Sequence, residues 1–269
     1  MSLHFMYITN DFEIAKICQN NGVDRIWIDL EYKGKNERQK GLDSVKSKHT
    51  TDDIVRIKPI IHKSELLVRI NPIDDESEEE INAVIEAGAD VVMLPMAKSI
   101  EEIEKFDYII RGRCKKVLLL ETKEAVENLD AILGRKVFDE VHIGMNDLSL
   151  SYNLKFMFQL LSNGMIEFLC KKIEKHGIPY GFGGIAQLGK GLLPAERIIP
   201  EHIRLNSSWV ILSRSFYNIE HMNNYNEAEQ IISNELKKIR EYEAKVALWS
   251  NEDFKNNRKK LVNIVNEVL

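Results

Sequence analysis

The chain of 269 residues has few cysteines, few prolines and no long apolar run. Its three cysteines, Cys18, Cys114 and Cys170, lie far apart and form no Cys-x-x-Cys pair. This spacing argues against a zinc site, a dithiol redox site and a disulfide-stabilised small domain. No apolar run approaches the roughly 18 residues that a membrane helix needs. Residues 1–4 do not read as a signal peptide, and we expect a cytoplasmic protein with no membrane partner.

The chain also has no excess of positive charge. The 42 acidic residues outnumber the 37 basic ones, so the net charge is -5, which disfavours a nucleic-acid-binding protein that relies on basic charge. The sequence patterns of zincins, serine hydrolases and P-loop enzymes are missing as well. What the chain does contain is 44% apolar residues, enough for a sizeable core, and no Pro/Gly/Ser-rich linker divides it.

Short apolar, β-branched segments alternate with amphipathic ones along the chain. Eight segments are predicted strands, at residues 3–9, 25–32, 65–71, 90–96, 115–121, 140–146, 180–186 and 209–215. Capping boxes at residues 77–80 and 99–102 predict helix starts, and Gly22, Gly88 and Gly134 stand where helices should stop. Strict alternation of eight units predicts an α/β fold, the (β/α)8 TIM barrel, with a doubly wound open sheet as the alternative.

Two further helical segments follow the eighth strand, at residues 225–249 and 252–269. Closing a barrel requires only one of them. We therefore divide the chain into a barrel at residues 1–250 and a C-terminal helix at residues 251–269. We expect this additional C-terminal helix to pack on a partner subunit of a homo-oligomer.

Carboxylates cluster where the predicted strands end. In a TIM barrel these ends form the active-site face. Asp29 and Glu31 follow the second strand, Glu121 ends the fifth, and Asp147 follows the sixth. Each carboxylate alone has an ordinary alternative as a solvated or helix-capping residue. Together, Glu121 and Asp147 on adjacent strands suit one hard divalent cation, Mg²⁺ or Mn²⁺, because no histidine or cysteine accompanies them.

Arg69 ends the third predicted strand and would enter the same mouth. Its planar guanidinium suits the carboxylate or ketone oxygen of a small anion. The alternative is a structural ion pair with Asp29 or Glu121. A cation, an arginine and spare carboxylates together describe a site that stabilises an enolate while a nearby base moves a proton.

Five segments resemble the HpcH/HpaI aldolase and citrate lyase beta-subunit family, in the same order and spacing: residues 22–31, 67–72, 86–96, 121–129 and 143–149. The resemblance implies a (β/α)8 barrel in which Glu121 and Asp147 bind the metal. It also implies that Arg69 contacts a pyruvyl or oxaloacetate group. Gly144, Asn146 and Asp147 would supply the backbone amides and side chains around the substrate carboxylate. An oligomer that exchanges C-terminal helices between subunits is implied as well.

The second strand departs from the aldolase pattern. Aldolases of the family carry a proton-transferring histidine after Asp-x-Glu, and this chain has Tyr32 there. A phenol, with a reference pKa near 10, is a poor base at neutral pH unless a cation or arginine lowers that pKa. The candidates for catalysis therefore include Tyr32, Glu31, Asp29 and a metal-bound hydroxide. Residues 29–31 are closer to the citrate-lyase-like branch, which lacks the histidine.

A polar segment at residues 33–50 follows the second strand. Its six basic and two acidic residues give a local charge of +4 in an acidic protein. One interpretation is a solvated surface loop. The other is a lid that recognises a second anionic group and brings His49 to the site.

The sequence predicts a divalent-metal-dependent carbon-carbon lyase, an aldolase that acts through a pyruvate-type enolate on a small 2-keto acid. Its second substrate would be an aldehyde or another anion. Citrate-lyase-like cleavage and oxaloacetate decarboxylation are alternatives within the enzymes. A homologue that binds metal and keto acid without catalysis is the alternative from another class.

Overall fold

The computed structural model describes residues 2–35 and 47–269. Eight parallel strands close into a barrel in chain order, and β1 pairs with β8. The strands are β1 His4–Ile8, β2 Arg25–Asp29, β3 Glu65–Arg69, β4 Val91–Leu94, β5 Lys115–Leu120, β6 Glu140–Ile143, β7 Tyr180–Ile185 and β8 Trp209–Leu212. The prediction of a TIM barrel is confirmed, and the open doubly wound sheet is excluded.

Helices surround the barrel and continue beyond it. Those described are α1 Phe12–Asn20, α2 Thr51–Ile57, α3 Ser77–Glu86, α4 Ile100–Ile110, α5 Lys123–Glu127, α6 Leu129–Gly134, α7 Met145–Ser151, α8 Gln159–Ser162, α9 Met165–Glu174, α10 Ala195–Arg204, α11 Tyr225–Val246 and α12 Asn251–Val268. Two 3₁₀ turns, Lys58–Ile60 and Ile219–His221, complete the described elements. No helix in these described ranges is long and apolar enough to cross a membrane.

Every predicted strand extends beyond the observed one at its carboxyl end. The second strand, for example, stops at Asp29, and the sixth stops at Ile143. The backbone turns away from the ladder at these points, and Gly144 already has φ -78° and ψ 85°. The residues that follow lie in loops at the barrel mouth, where polar side chains need not fit a sheet.

The helix-start predictions divide. At α4 the capping box is confirmed, because Ser99 Oγ accepts from the backbone N–H of Glu102 at 3.3 Å and Glu102 accepts in return. At α3 it is wrong, because Ser77 is already the first helical residue and its hydroxyl contacts Asp74 instead. Glu80 does not cap the helix. Its carboxylate accepts hydrogen bonds from the backbone N–H and the side-chain amide of Asn71, which fixes the loop after β3.

The three helix-stop predictions are confirmed in position. Gly22 and Gly88 follow α1 and α3 with φ of +89° and +107°, which only glycine adopts easily. Gly134 is also confirmed as a stop, because it is the last residue of α6, although here the left-handed residue is Lys136 at φ 55°.

The barrel interior is filled rather than hollow. Seven buried side chains form its core, namely Met6, Trp27, Leu67, Val91, Met93, Val117 and Leu119. Below them Arg25, only 1% exposed, donates to both carboxylate oxygens of Glu140 at 2.6 and 2.7 Å and stacks on Trp209. This closed base supports the mouth at the opposite end of the strands.

The C-terminal helices pack on their own barrel in this single chain. Helix α11 contacts α1, and α12 contacts α8 and α10. Leu261 and Val265 of α12 are fully buried. The buried carboxylate of Glu201 on α10 accepts from Asn257 and Arg258 of α12. Exchange of this helix between subunits, the homo-oligomer and the boundary at residue 250 stay predictions.

Candidate active site

A cavity of about 420 Å³ opens at the carboxyl ends of the strands. The structure brings five predicted site residues to its lining, namely Arg69, Glu121, Gly144, Asn146 and Asp147. They come from the end of β3, the residue after β5 and the start of α7, because successive parallel strands end on one face. Asp29 ends β2, and Glu31 and Tyr32 follow it. None of these three predicted residues is among those that line the cavity.

Glu121 stands directly after β5, with 2% of its surface exposed. Its Oε1 atom accepts a hydrogen bond of 3.1 Å from the backbone N–H of Met96. Met96 has φ 53°, an unfavourable left-handed conformation for a residue with a side chain. The other oxygen, Oε2, points to Gly144, where a Cβ would stand only 2.7 Å away. The carboxylate is therefore held in one orientation at the cavity wall.

Negative charge accumulates around Glu121. Burial raises its pKa well above the ordinary value, Asp147 and Glu31 add to that rise, and Arg69 opposes it. A cation placed between Glu121 and Asp147 would remove this repulsion. No group of three or more His, Cys, Asp or Glu side chains in the described residues is arranged to hold a metal ion. Two carboxylates nevertheless fit Mg²⁺, which keeps several waters and commonly takes only one or two protein carboxylates.

Arg69 forms the ion pair that was its structural alternative, and its role in binding an anion stays a prediction. It lines the cavity, and it is ion-paired with Asp29 through hydrogen bonds of 2.8 Å from Nε and Nη2. Its Nη1 atom lies 3.1 Å from Glu31 Oε2. Burial opposes its charge, but the two carboxylates hold the pKa of Arg69 above the ordinary range. The guanidinium has five N–H groups and makes these three contacts, so N–H groups remain that can bind a substrate oxygen.

The basic segment after β2 is described only at its two ends. Lys35 Nζ and Ser47 Oγ each donate to Asp29 Oδ2 at 3.0 Å. His49 Nδ1 accepts a 3.0 Å bond from the backbone N–H of Asp29, and burial lowers the pKa of this histidine. The segment ends therefore close over Asp29. The remainder of the lid hypothesis concerns residues 36–46, which lie outside the described residues.

Tyr32 is positioned by its backbone rather than its phenol. Its N–H donates to Asn71 Oδ1 at 3.0 Å, while the residue is 65% exposed. A phenol directed to solvent has no structural support as the substitute for the family histidine. Its catalytic role stays a prediction.

His142 lies on β6 at the floor of the cavity. It is buried, and burial lowers its pKa to about 3. Neither ring nitrogen makes a well-aligned hydrogen bond within the described part of the chain. The imidazole is neutral at physiological pH.

The apolar side of the cavity was not predicted from the sequence. Six residues form what we call the apolar wall, namely Phe156, Met157, Phe158, Leu192, Leu193 and Ile198. They come from the segments after α7 and β7. The run at residues 156–158 was a usable signal, because three large apolar residues in a loop are unusual on a surface.

A TIM barrel whose mouth combines two buried carboxylates with an arginine has its polar side chains at the face where enzymes of this fold carry their active sites. The family model for "HpcH/HpaI aldolase/citrate lyase" matches residues 4–157. The chain belongs to this family. It is accordingly an enzyme of the lyase class, with an aldolase-type activity.

Solved structures share the fold at low sequence identity. An HpcH/HpaI aldolase from Desulfitobacterium hafniense DCB-2 is 15% identical, with a TM-score of 0.59 over 89% of this chain and 93% of the other. A family protein from Burkholderia cenocepacia J2315 is 13% identical, with a TM-score of 0.60 over 88% and 94%. Macrophomate synthase is 15% identical, with a TM-score of 0.55 over 78% and 77%. No curated protein sequence matches the chain significantly.

Proposed function

We propose that the protein is a divalent-metal-dependent carbon-carbon lyase that makes or breaks an aldol bond through the enolate of a small 2-keto acid such as pyruvate. The observation that carries this proposal is the buried Glu121 carboxylate beside Asp147, facing the same cavity as Arg69. Acid residues gathered around a buried carboxylate favour a cation, and the arginine favours the anionic substrate.

Glu121 and Asp147 are the residues that would hold Mg²⁺ or Mn²⁺. Oε1 of Glu121 is oriented by the backbone N–H of Met96, so the side chain loses little freedom on binding. Such a cation, when bound, supplies Lewis-acid stabilisation of negative charge on the keto oxygen.

Arg69 would bind an oxygen of the keto acid. Asp29 fixes the plane of its guanidinium through two hydrogen bonds, and this bidentate contact keeps the remaining N–H groups pointed into the mouth. Asp29 is thus a positioning residue. Gly144, Asn146 and Asp147 line the other side, where the absence of a side chain at Gly144 leaves the backbone open to the substrate carboxylate.

Proton transfer at the methyl carbon is assigned to Glu31. Asp29 is a weak base, because contacts from Arg69 and Lys35 lower its pKa despite burial. Tyr32 is 65% exposed. Glu31 is buried, and its Oε2 lies 3.1 Å from Arg69 Nη1, which places it next to the group that would bind the substrate. The proton leaves the methyl carbon for Oε2, and the electron pair becomes the enolate.

The test is proton exchange, which needs no second substrate. The protein is incubated with pyruvate and Mg²⁺ in D₂O, and loss of the methyl signal is followed by NMR. We expect exchange in the wild type, loss of exchange in Glu121→Ala, and a reduction of about 10²–10⁴-fold in Glu31→Gln. Glu124→Gln on the exposed face of α5 is the matched control and should retain full exchange.

Three results would contradict parts of this proposal. Absence of exchange with both Mg²⁺ and Mn²⁺ would favour the non-catalytic alternative. Exchange that persists in Glu121→Ala would contradict the assignment of Glu121 as a ligand of the cation. Release of CO₂ from oxaloacetate without any exchange into pyruvate would favour a decarboxylase over an aldolase.

A further inference from the structure

The cavity has two chemically different sides. Arg69, Glu121 and Asp147 form its charged side, from the end of β3, the residue after β5 and the start of α7. The apolar wall comes from the segments after α7 and β7, and Arg214 lines the cavity separately, after β8. The proposed keto acid needs only the charged side, so the wall is left for a second molecule.

The cavity is too large for a three-carbon acid alone. Pyruvate has six non-hydrogen atoms, whereas 420 Å³ falls in the range of pockets that hold much larger ligands. The wall lines the same cavity as Arg69, Glu121 and Asp147, together with the glycines at positions 183, 184 and 191. A second substrate would therefore contact the wall directly.

The wall is rigid at its base and open at its rim. Phe156 and Phe158 pack edge to face, with ring centroids 5.2 Å apart, an arrangement that fixes aromatic side chains. Leu193 and Ile198 are each 2% exposed, whereas Leu192 is 70% exposed at the rim. A large apolar side chain left in water beside a substrate cavity gains from any apolar ligand that covers it.

We propose that the second substrate is an apolar aldehyde, whose alkyl or aryl chain packs on the apolar wall. This inference rests on the proposed aldolase function. A carboxylate or phosphate placed against Phe158, Leu193 or Ile198 would be buried without a partner, which is strongly unfavourable. Arg214, exposed at the rim after β8, is the place where an anionic chain would have to end instead.

The bond-forming step balances without any oxidant or reductant. The enolate carbon of the keto acid attacks the aldehyde carbonyl carbon, and one carbon-carbon bond forms. The carbonyl electron pair moves to the aldehyde oxygen, which takes up the proton released from the methyl carbon. The product is a 4-hydroxy-2-keto acid whose chain beyond carbon 4 lies on the wall.

The inference is tested by binding, so that turnover is not required. Unreactive alcohols replace the aldehydes in saturation-transfer NMR with the full chain, Mg²⁺ and pyruvate. The ligands are 1-butanol, 1-hexanol and 4-hydroxybutanoate, the last of which is 1-butanol with a terminal carboxylate in place of its methyl group. We expect each added methylene to raise affinity about threefold to fourfold, and 4-hydroxybutanoate to bind at least about tenfold more weakly than 1-butanol.

A variant that places a positive charge at the rim of the apolar wall tests the same preference. Leu192→Lys should shift the ratio of 1-hexanol to 4-hydroxybutanoate affinities about tenfold toward the carboxylate. Leu248→Lys is the matched control, because Leu248 is 88% exposed after α11 and does not line the cavity; its ratio should stay unchanged.

Tighter binding of 4-hydroxybutanoate than of 1-butanol by the wild type would overturn the inference and point to Arg214. An unchanged ratio in Leu192→Lys, or equal shifts in both variants, would overturn it as well. The proton-exchange experiment decides the aldolase function separately. Proton exchange without a preference for apolar alcohols would reject only the proposal that the second substrate is an apolar aldehyde. A preference for apolar alcohols without proton exchange would reject only the proposed enolate chemistry.

Discussion

The guanidinium of Arg69 binds the carboxylate of Asp29 through two hydrogen bonds of 2.8 Å, within a site where both side chains are buried. Lys35 adds a third contact at 3.0 Å to the same carboxylate. Burial alone would raise the pKa of Asp29, but the two cations hold it well below its ordinary range. The pair is therefore charged at every pH at which the protein is expected to work.

Asp29→Ala should destabilise the protein by about 3–5 kcal/mol, because it leaves Arg69 and Lys35 buried without their carboxylate. Since the folded-state pKa is lowered, the carboxylate stabilises the fold above about pH 4, and this contribution is lost as the pH falls. Urea unfolding at pH 7 measures the free energy. Glu76→Ala removes a largely exposed partner of Lys33 and should cost less than about 1 kcal/mol. Equal losses in both variants would contradict the importance of the buried pair.

Glu121→Gln should stabilise the cation-free protein at pH 8. The folded-state pKa of Glu121 is raised by burial, so stability is lost as the pH rises above its ordinary value of about 4.3. A glutamine mimics the protonated acid and avoids this loss. Each kcal/mol gained corresponds to about 2–4 °C in Tm, and the difference from the wild type should vanish toward pH 4. Added Mg²⁺ should raise the Tm of the wild type but not of the variant. A lower Tm for cation-free Glu121→Gln at pH 8 would contradict the buried-charge argument.

Gly144→Ala should weaken cation binding about 10–100-fold, as losses of groups that orient a ligand commonly do. A Cβ at position 144 would stand 2.7 Å from Glu121 Oε2 and 3.2 Å from Leu119 Cδ1, so the carboxylate must move. Titration with Mn²⁺, followed by electron paramagnetic resonance, measures the change. The control is Gly134→Ala in α6, where nothing lies within 4 Å of the added carbon. It should bind Mn²⁺ normally and gain up to about 1 kcal/mol in stability. Unchanged affinity in Gly144→Ala would mean that Glu121 is not a cation ligand in its observed orientation.

Glu140→Ala should cost about 3–5 kcal/mol at the base of the barrel, because Arg25 then loses its bidentate partner while 1% exposed. Urea unfolding checks this value. Lys115→Ala removes a half-exposed partner of Glu65 in the same region and should cost less than about 1 kcal/mol. Similar values for the two variants would show that the base pair adds little to the fold.

The site could be predicted from the sequence only in part. Arg69, Glu121 and Asp147 were found because each ends or follows an apolar strand, and the topology of a barrel brings such ends together. Tyr32 could not be placed, because strand alternation does not determine where a side chain turns after the strand has ended. The apolar wall was missed because its residues come from two segments 34 positions apart, as the numbers of Phe158 and Leu192 show.

The sequence by itself determined the barrel and the residues at its mouth, since the alternation of eight apolar strands with amphipathic helices depends on local patterns of burial. Only the tertiary structure decided that Arg69 is paired with Asp29 and also lines the cavity, and that the polar ends of residues 33–50 close over the same carboxylate. These contacts join residues distant in the chain. Their geometry depends on backbone turns beyond the strands, such as the left-handed Met96, that no periodicity encodes.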